Sequence, residues 1–118
     1  MAGNRPHYKL EAWKDAMALV STIYLVTQEF PKEEIFGLTA QLRRAAVSVP
    51  SNIAEGAARH GSKEFAQFLN IAIGSISEIE TQLLIAVNLG YLAKDASVFT
   101  MLERVSKLVT GLWKSVRQ

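Results

Sequence analysis

The chain has no cysteine, which excludes a disulfide framework and thiolate metal sites. Histidine is confined to His7 and His60. Neither has a serine or aspartate at a spacing that would build a nucleophile and base. The Glu-x-x-His pairs of bundle di-iron sites are missing: Glu55 is followed three residues on by Ala58, Glu78 by Thr81 and Glu80 by Leu83. "GAARHGSKEF" lacks the phosphate-cradling Walker spacing. No N-terminal stretch has the order of a signal peptide. The charge-free run Ala16 to Gln28 is too short and too polar to span a bilayer. A cytoplasmic protein without a cofactor or catalytic residues is expected. Charge is also scarce where helices normally carry it. Between Phe65 and Ala93 the only charged residues are Glu78 and Glu80, and between Asp15 and Glu29 there are none.

The remaining pattern is helical. Leu10, Trp13, Met17, Val20 and Tyr24 are spaced three or four apart, predicting a helix over Tyr8 to Phe30 that Pro31 ends. A second runs from Glu34 to Arg59, with Leu38, Leu42, Ala45 and Val49 before Pro50 and Ile53 and Ala57 after it. That continuity predicts one helix kinked at Pro50 rather than two joined by a loop. The proline removes an N–H and crowds the Ala46 carbonyl, costing about 3 kcal/mol. A third helix starts after Gly61 with Ser62 as N-cap, carries Phe65, Leu69, Ala72, Ile76, Ile79, Leu83 and Ala86, and stops near Gly90. A fourth starts at Asp95 as N-cap and runs through Val98, Leu102, Val105, Val109 and Leu112 to Val116. No segment alternates as a strand does. The expected fold is all-α, an up-down antiparallel four-helix bundle over residues 8–118, preceded by a flexible arm at 1–7.

A helix with little charge around its circumference is usually covered on most of it. In the third helix Ile71, Gly74, Glu78 and Ile85 fall on a different side from the core stripe. They are the expected subunit interface of a homo-oligomer, with Gly74 and Ser75 admitting a second backbone. Glu78 is placed to meet an arginine across that boundary. Ser48, Pro50, Asn52, Glu55, Ser75, Glu78 and Glu80 read as a polar network that offsets the proline and fixes helix register. Asn52, Glu55, Glu78 and Glu80 could alternatively line a ligand pocket. Arg43, Arg44, Arg59, His60 and Lys63, with Arg104, Lys107, Lys114 and Arg117, are candidate nucleic-acid contacts, or else a solvated face. The net charge of +2 permits such a partner without requiring one.

Two stretches carry a resemblance: "RRAAVSVPSNIAEGAAR" and "EFAQFLNIAIGSISEIETQLLIAVNLGYL". With Leu10, Trp13 and Phe30–Pro31, they are similar to the 23S rRNA-intervening-sequence proteins, encoded in insertions of bacterial ribosomal RNA genes and elsewhere. The resemblance covers residues 8 to 116. It implies an up-down bundle assembled as a pentameric ring and brings no established activity. The accessory proteins of diversity-generating retroelements resemble the same fold and bind a reverse transcriptase and nucleic acid through basic surface. The expectation is a non-enzymatic homo-oligomeric scaffold that contacts structured RNA or a nucleoprotein. The alternative is a protein–protein interaction module without nucleic acid.

Overall fold

The computed structural model describes residues 5–117. Among them are four α-helices and no strand: α1 Glu11–Gln28, α2 Leu38–Ala57, α3 Ser62–Asn88 and α4 Ser97–Val116. Each helix packs on two neighbours, α1 on α2 and α4, and α3 on α2 and α4, with no contact across either diagonal. The chain therefore runs up and down around a square. The buried stripe of each helix supplies the core: Leu19 and Ile23 from α1, Leu42, Val49 and Ile53 from α2, Leu69, Ile79 and Leu83 from α3, Val98, Val105 and Val109 from α4. In α2, α3 and α4 these fall on the three-and-four spacings read from the sequence, and they bury apolar surface at about 25 cal/mol per Å². In α1 the core face differs from the expected Leu10, Trp13, Met17, Val20 and Tyr24: Ala12, Ala16, Leu19 and Ile23 are buried, while Met17 is 45% exposed and Tyr24 40%.

Pro50 lies inside α2, which continues on both sides of it as one helix. The helix ends differ from expectation. Residues Pro6–Lys9 form a separate 3-10 turn, so α1 begins at Glu11 rather than Tyr8. The expected arm at 1–7 lies partly outside the described residues. Within it, His7 stacks edge-on to Tyr8 and to Trp13, with both ring separations at 4.8 Å. Lys32–Glu34 is likewise a 3-10 turn, and α2 starts after Gly37. Its cap comes from the preceding turn: the Leu38 N–H donates to Glu34 Oε1 at 3.1 Å. Ser62 and Asp95 are not the N-caps of α3 and α4. Gly61, at φ +129°, and Ala96 hold those positions without a side-chain cap. Gly61 redirects the chain so sharply that Ser62 is already helical. Gly90 does end α3 in the left-handed region, at φ +82°. Tyr91 N–H donates to Ala86 O and Gly90 N–H to Val87 O, the paired bonds of a Schellman cap.

One end of the bundle holds the start of α2 and the end of α3. There Tyr91 Oη donates to Glu34 Oε2 at 3.0 Å, and its ring packs on Phe30. The bond to Glu34, followed by desolvation and the nearby Glu33 and Glu34 charges, raises the Tyr91 pKa. The opposite end holds the start of α1, the end of α2, the start of α3 and the end of α4. The long axis of the molecule is 44 Å.

By length and composition α3 alone among the described helices could cross a bilayer, with mean hydropathy 1.2 over its best window. Its apolar stripe is spent on α2 and α4, and the helix carries Glu78 and Glu80.

Candidate functional site

Along the seam between α2 and α3, small polar side chains meet. Ser48 Oγ and Ser75 Oγ lie 2.9 Å apart. Asn52 Nδ2 donates to the Ser48 carbonyl at 2.8 Å and to Ser48 Oγ at 2.9 Å. The pair at 48 and 52 is one helical turn apart, and Pro50 is buried between them. The second donor on the Ser48 carbonyl strengthens the turn that the proline weakens. The structure thus joins three of the seven network candidates around the proline.

The three carboxylates go elsewhere, all on the surface. Glu55 pairs with Arg59 at 3.0 Å, one turn along α2. Glu78 accepts from Gln82 Nε2 at 3.5 Å. Glu80 lies on the α4 side of α3, where it and Glu103 flank a depression of about 440 Å³. Glu80 and Glu78 line separate depressions, Glu80 with Glu103 and Glu78 with Gln82. Among the described residues no cluster of three or more His, Asp or Glu side chains has metal-binding geometry.

The four interface candidates share one exposed strip of α3. Ile71 is 52% exposed and Ile85 42%. A Cβ built on Gly74 would meet nothing within 4 Å. Gly74, Glu78 and Ile85, together with Ser77, Thr81, Gln82 and Gln41 of α2, line an open groove of about 550 Å³. A second set of exposed apolar side chains caps the end of the bundle: Leu25, Ile35, Leu89 and Phe36, the last 94% exposed.

The nine basic candidates separate into two groups. Arg43 is spent inside the fold. Its Nε donates to Thr27 Oγ1 at 2.9 Å, and its guanidinium stacks on Tyr24 at 4.6 Å from the ring centre. Thr27 in turn donates to Ile23 O at 2.7 Å. A cation held at the C-terminal turn of α1 also answers the helix dipole. Arg104 pairs with Asp15, which raises the guanidinium pKa further. Lys107 pairs with Glu103 at 3.5 Å. Arg44 is exposed midway along α2.

Arg59, His60, Lys63, Lys114 and Arg117 gather at the end where α2 stops, α3 starts and α4 stops. Lys63 and Arg117 share a depression of about 360 Å³ with Ser62, Ala66, Gln67, Asn70 and Trp113. Arg117 stacks on Trp113 at 4.3 Å and Arg59 on Phe68 at 5.0 Å. The far end carries Glu29, Glu33, Glu34 and Asp95 against Lys32 and Lys94. The modest net charge is therefore the sum of a basic end and an acidic end. Sequence reading missed that division, and it missed Glu34, Thr27 and Tyr91 as fastenings. Their partners lie 16 and 57 residues away, beyond any local spacing rule.

No curated protein matches the chain. A family model described as "23S rRNA-intervening sequence protein" matches residues 8–111, a span that includes all of α1, α2 and α3 and most of α4. The chain belongs to the 23S rRNA-intervening sequence protein family.

Proposed function

We propose that the protein is a non-enzymatic cytoplasmic scaffold, assembled from copies of itself, that holds structured RNA or a nucleoprotein against its basic end. The observation that carries the RNA reading is the gathering of Arg59, His60, Lys63, Lys114 and Arg117 at one end of the bundle. Cations gathered at one end are suited to phosphate contact, and Trp113 and the Arg117 plane beside them offer stacking surfaces for unpaired bases. The family description adds a ribosomal RNA setting. A relation to the retroelement accessory proteins is part of the same proposal and would favour the same kind of partner. Self-association is supported by the exposed Ile71, Gly74, Glu78 and Ile85 strip. Five copies in a ring is the arrangement the family resemblance favours. A bend of α2 at Pro50 belongs to the same proposal, curving the outer face of the helix toward the next copy.

A protein–protein module without nucleic acid is the second reading, and the exposed apolar cap at Leu25, Ile35, Phe36 and Leu89 favours it.

Light scattering on purified protein, with absorbance at the nucleic-acid and protein maxima, reports subunit number and co-purifying RNA together. Gel shift with structured RNA at low and high salt then decides the partner. The expected result is a multiple of 13.0 kDa and binding that weakens steeply with salt as counterions are released. Absent or salt-insensitive RNA binding overturns the RNA reading in favour of the protein module. A single-chain mass at every concentration overturns the scaffold.

A further inference from the structure

Gln82 of α3 is only 6% exposed, yet its carbonyl oxygen Oε1 has no hydrogen-bond partner. Its amide nitrogen reaches Gln41 Oε1 at 3.4 Å and Glu78 Oε2 at 3.5 Å, both near the long limit for a hydrogen bond. A buried acceptor without a donor destabilises the state that contains it. Gln82 lines the groove between α2 and α3, where other polar groups also offer acceptors. Glu78 contributes a carboxylate. Thr81 has its hydroxyl proton committed to Ser77 O. Ile85 and the bare backbone at Gly74 form the apolar side. The groove offers several acceptors and one negative charge, without a cation among its lining residues. A guanidinium fits that chemistry, because its planar fork of N–H donors can meet several acceptors at once.

The arginines of the helices are otherwise engaged. Arg43 is bound to Thr27, Arg59 to Glu55 and Arg104 to Asp15, while Arg117 lies on Trp113. Arg44 has no hydrogen bond, ion pair or ring contact among the described residues. It projects from the outer side of α2, one turn from Val47, which is 42% exposed. That side of the helix is short in stature, with Ala40, Ser51 and Ala54 beside it. A neighbouring molecule can approach it closely.

We propose that Arg44 of one copy enters the Gln41–Glu78–Gln82 groove of the next, pairing with Glu78 and, as the Gln82 side chain turns toward it, donating to the orphaned Gln82 oxygen. The inference rests on self-association and names its polar contact. Burial among Ile71, Ile85 and Val47 excludes water from the pair, which strengthens it and fixes the register of the copies.

The test is light scattering over a dilution series on the full chain, with circular dichroism confirming that each variant is folded. Glu78→Arg and Arg44→Glu alone are each expected to weaken association about tenfold or more, and the double reversal to restore it. Gln82→Leu keeps the fold, because it removes an unsatisfied amide, and still weakens association. Wild-type protein that associates, with single reversals that associate equally tightly, refutes the groove contact and leaves self-association standing. A double reversal no tighter than the singles also refutes it. Wild-type protein that stays a single chain refutes both.

Discussion

Gly56 is buried where α2 packs tightly against α3 near the basic end of the bundle. A Cβ there would lie 2.8 Å from Phe68 Cβ, 2.9 Å from Phe65 Cδ1 and 3.3 Å from the Phe65 carbonyl. The first and last of those atoms cannot swing away as the end of a flexible chain could. Gly56→Ala is therefore expected to destabilise the fold by about 1–3 kcal/mol through overpacking. Urea unfolding would show it as a lower midpoint at unchanged slope. A variant as stable as wild type would mean that the two helices part without cost. Gly56 was visible in the sequence as a member of a motif, but its neighbours were not. The Ser48–Asn52 pair was visible, because residues four apart on a helix must meet. Ser75 and Thr27 were harder to read. Their partners come from other helices, and composition gives no hint of which hydroxyl will face which.

Among the helices, α3 shows most clearly what a spacing rule can and cannot reveal. Its core stripe is where the three-and-four repeat puts it, and the second strip at Ile71, Gly74, Glu78 and Ile85 is exposed as a set. The starts of α3 and α4 were misread, because Ser62 and Asp95 are cap-type residues standing one place too late and one too early. Backbone geometry at Gly61 and Ala96 decided both. Two glycines give a paired test of the strip. Gly74 in α3 and Gly111 in α4 are both exposed helical positions with open space where a Cβ would go. Alanine at either is expected to stabilise the folded chain by about 0.5–1 kcal/mol, from backbone entropy alone. If copies meet at the Gly74 strip, Gly74→Ala should also weaken association, and Gly111→Ala should not. Thermal unfolding of dilute protein reads the first effect and light scattering the second. Equal association of the two variants would move the contact off α3.

Over the whole molecule, the four-helix order was legible, since Gly and Pro punctuate it and the apolar repeats fill the intervals. The charge division was not. It arises only when the chain folds back three times, bringing Lys63 beside Arg117 and Glu34 beside Tyr91. Reversing charge at the basic end, with Lys63→Glu and Arg117→Glu together, is expected to flatten the salt dependence of RNA binding by about one to two units of slope. The same reversal at Lys32 and Lys94 should leave it unchanged. Matched effects from the two pairs would show that RNA senses only total charge and not an end of the bundle.

That division makes each bundle an electric dipole directed along its 44 Å axis. Near a polyanion such a body turns before it touches, because the field acts on the two ends in opposite directions. Copies standing side by side in the same sense would add their moments and present one positively charged rim. Copies in alternating senses would cancel and present none. The polarity of packing, more than the number of copies, would then set how strongly an assembly draws in a nucleic acid from a distance.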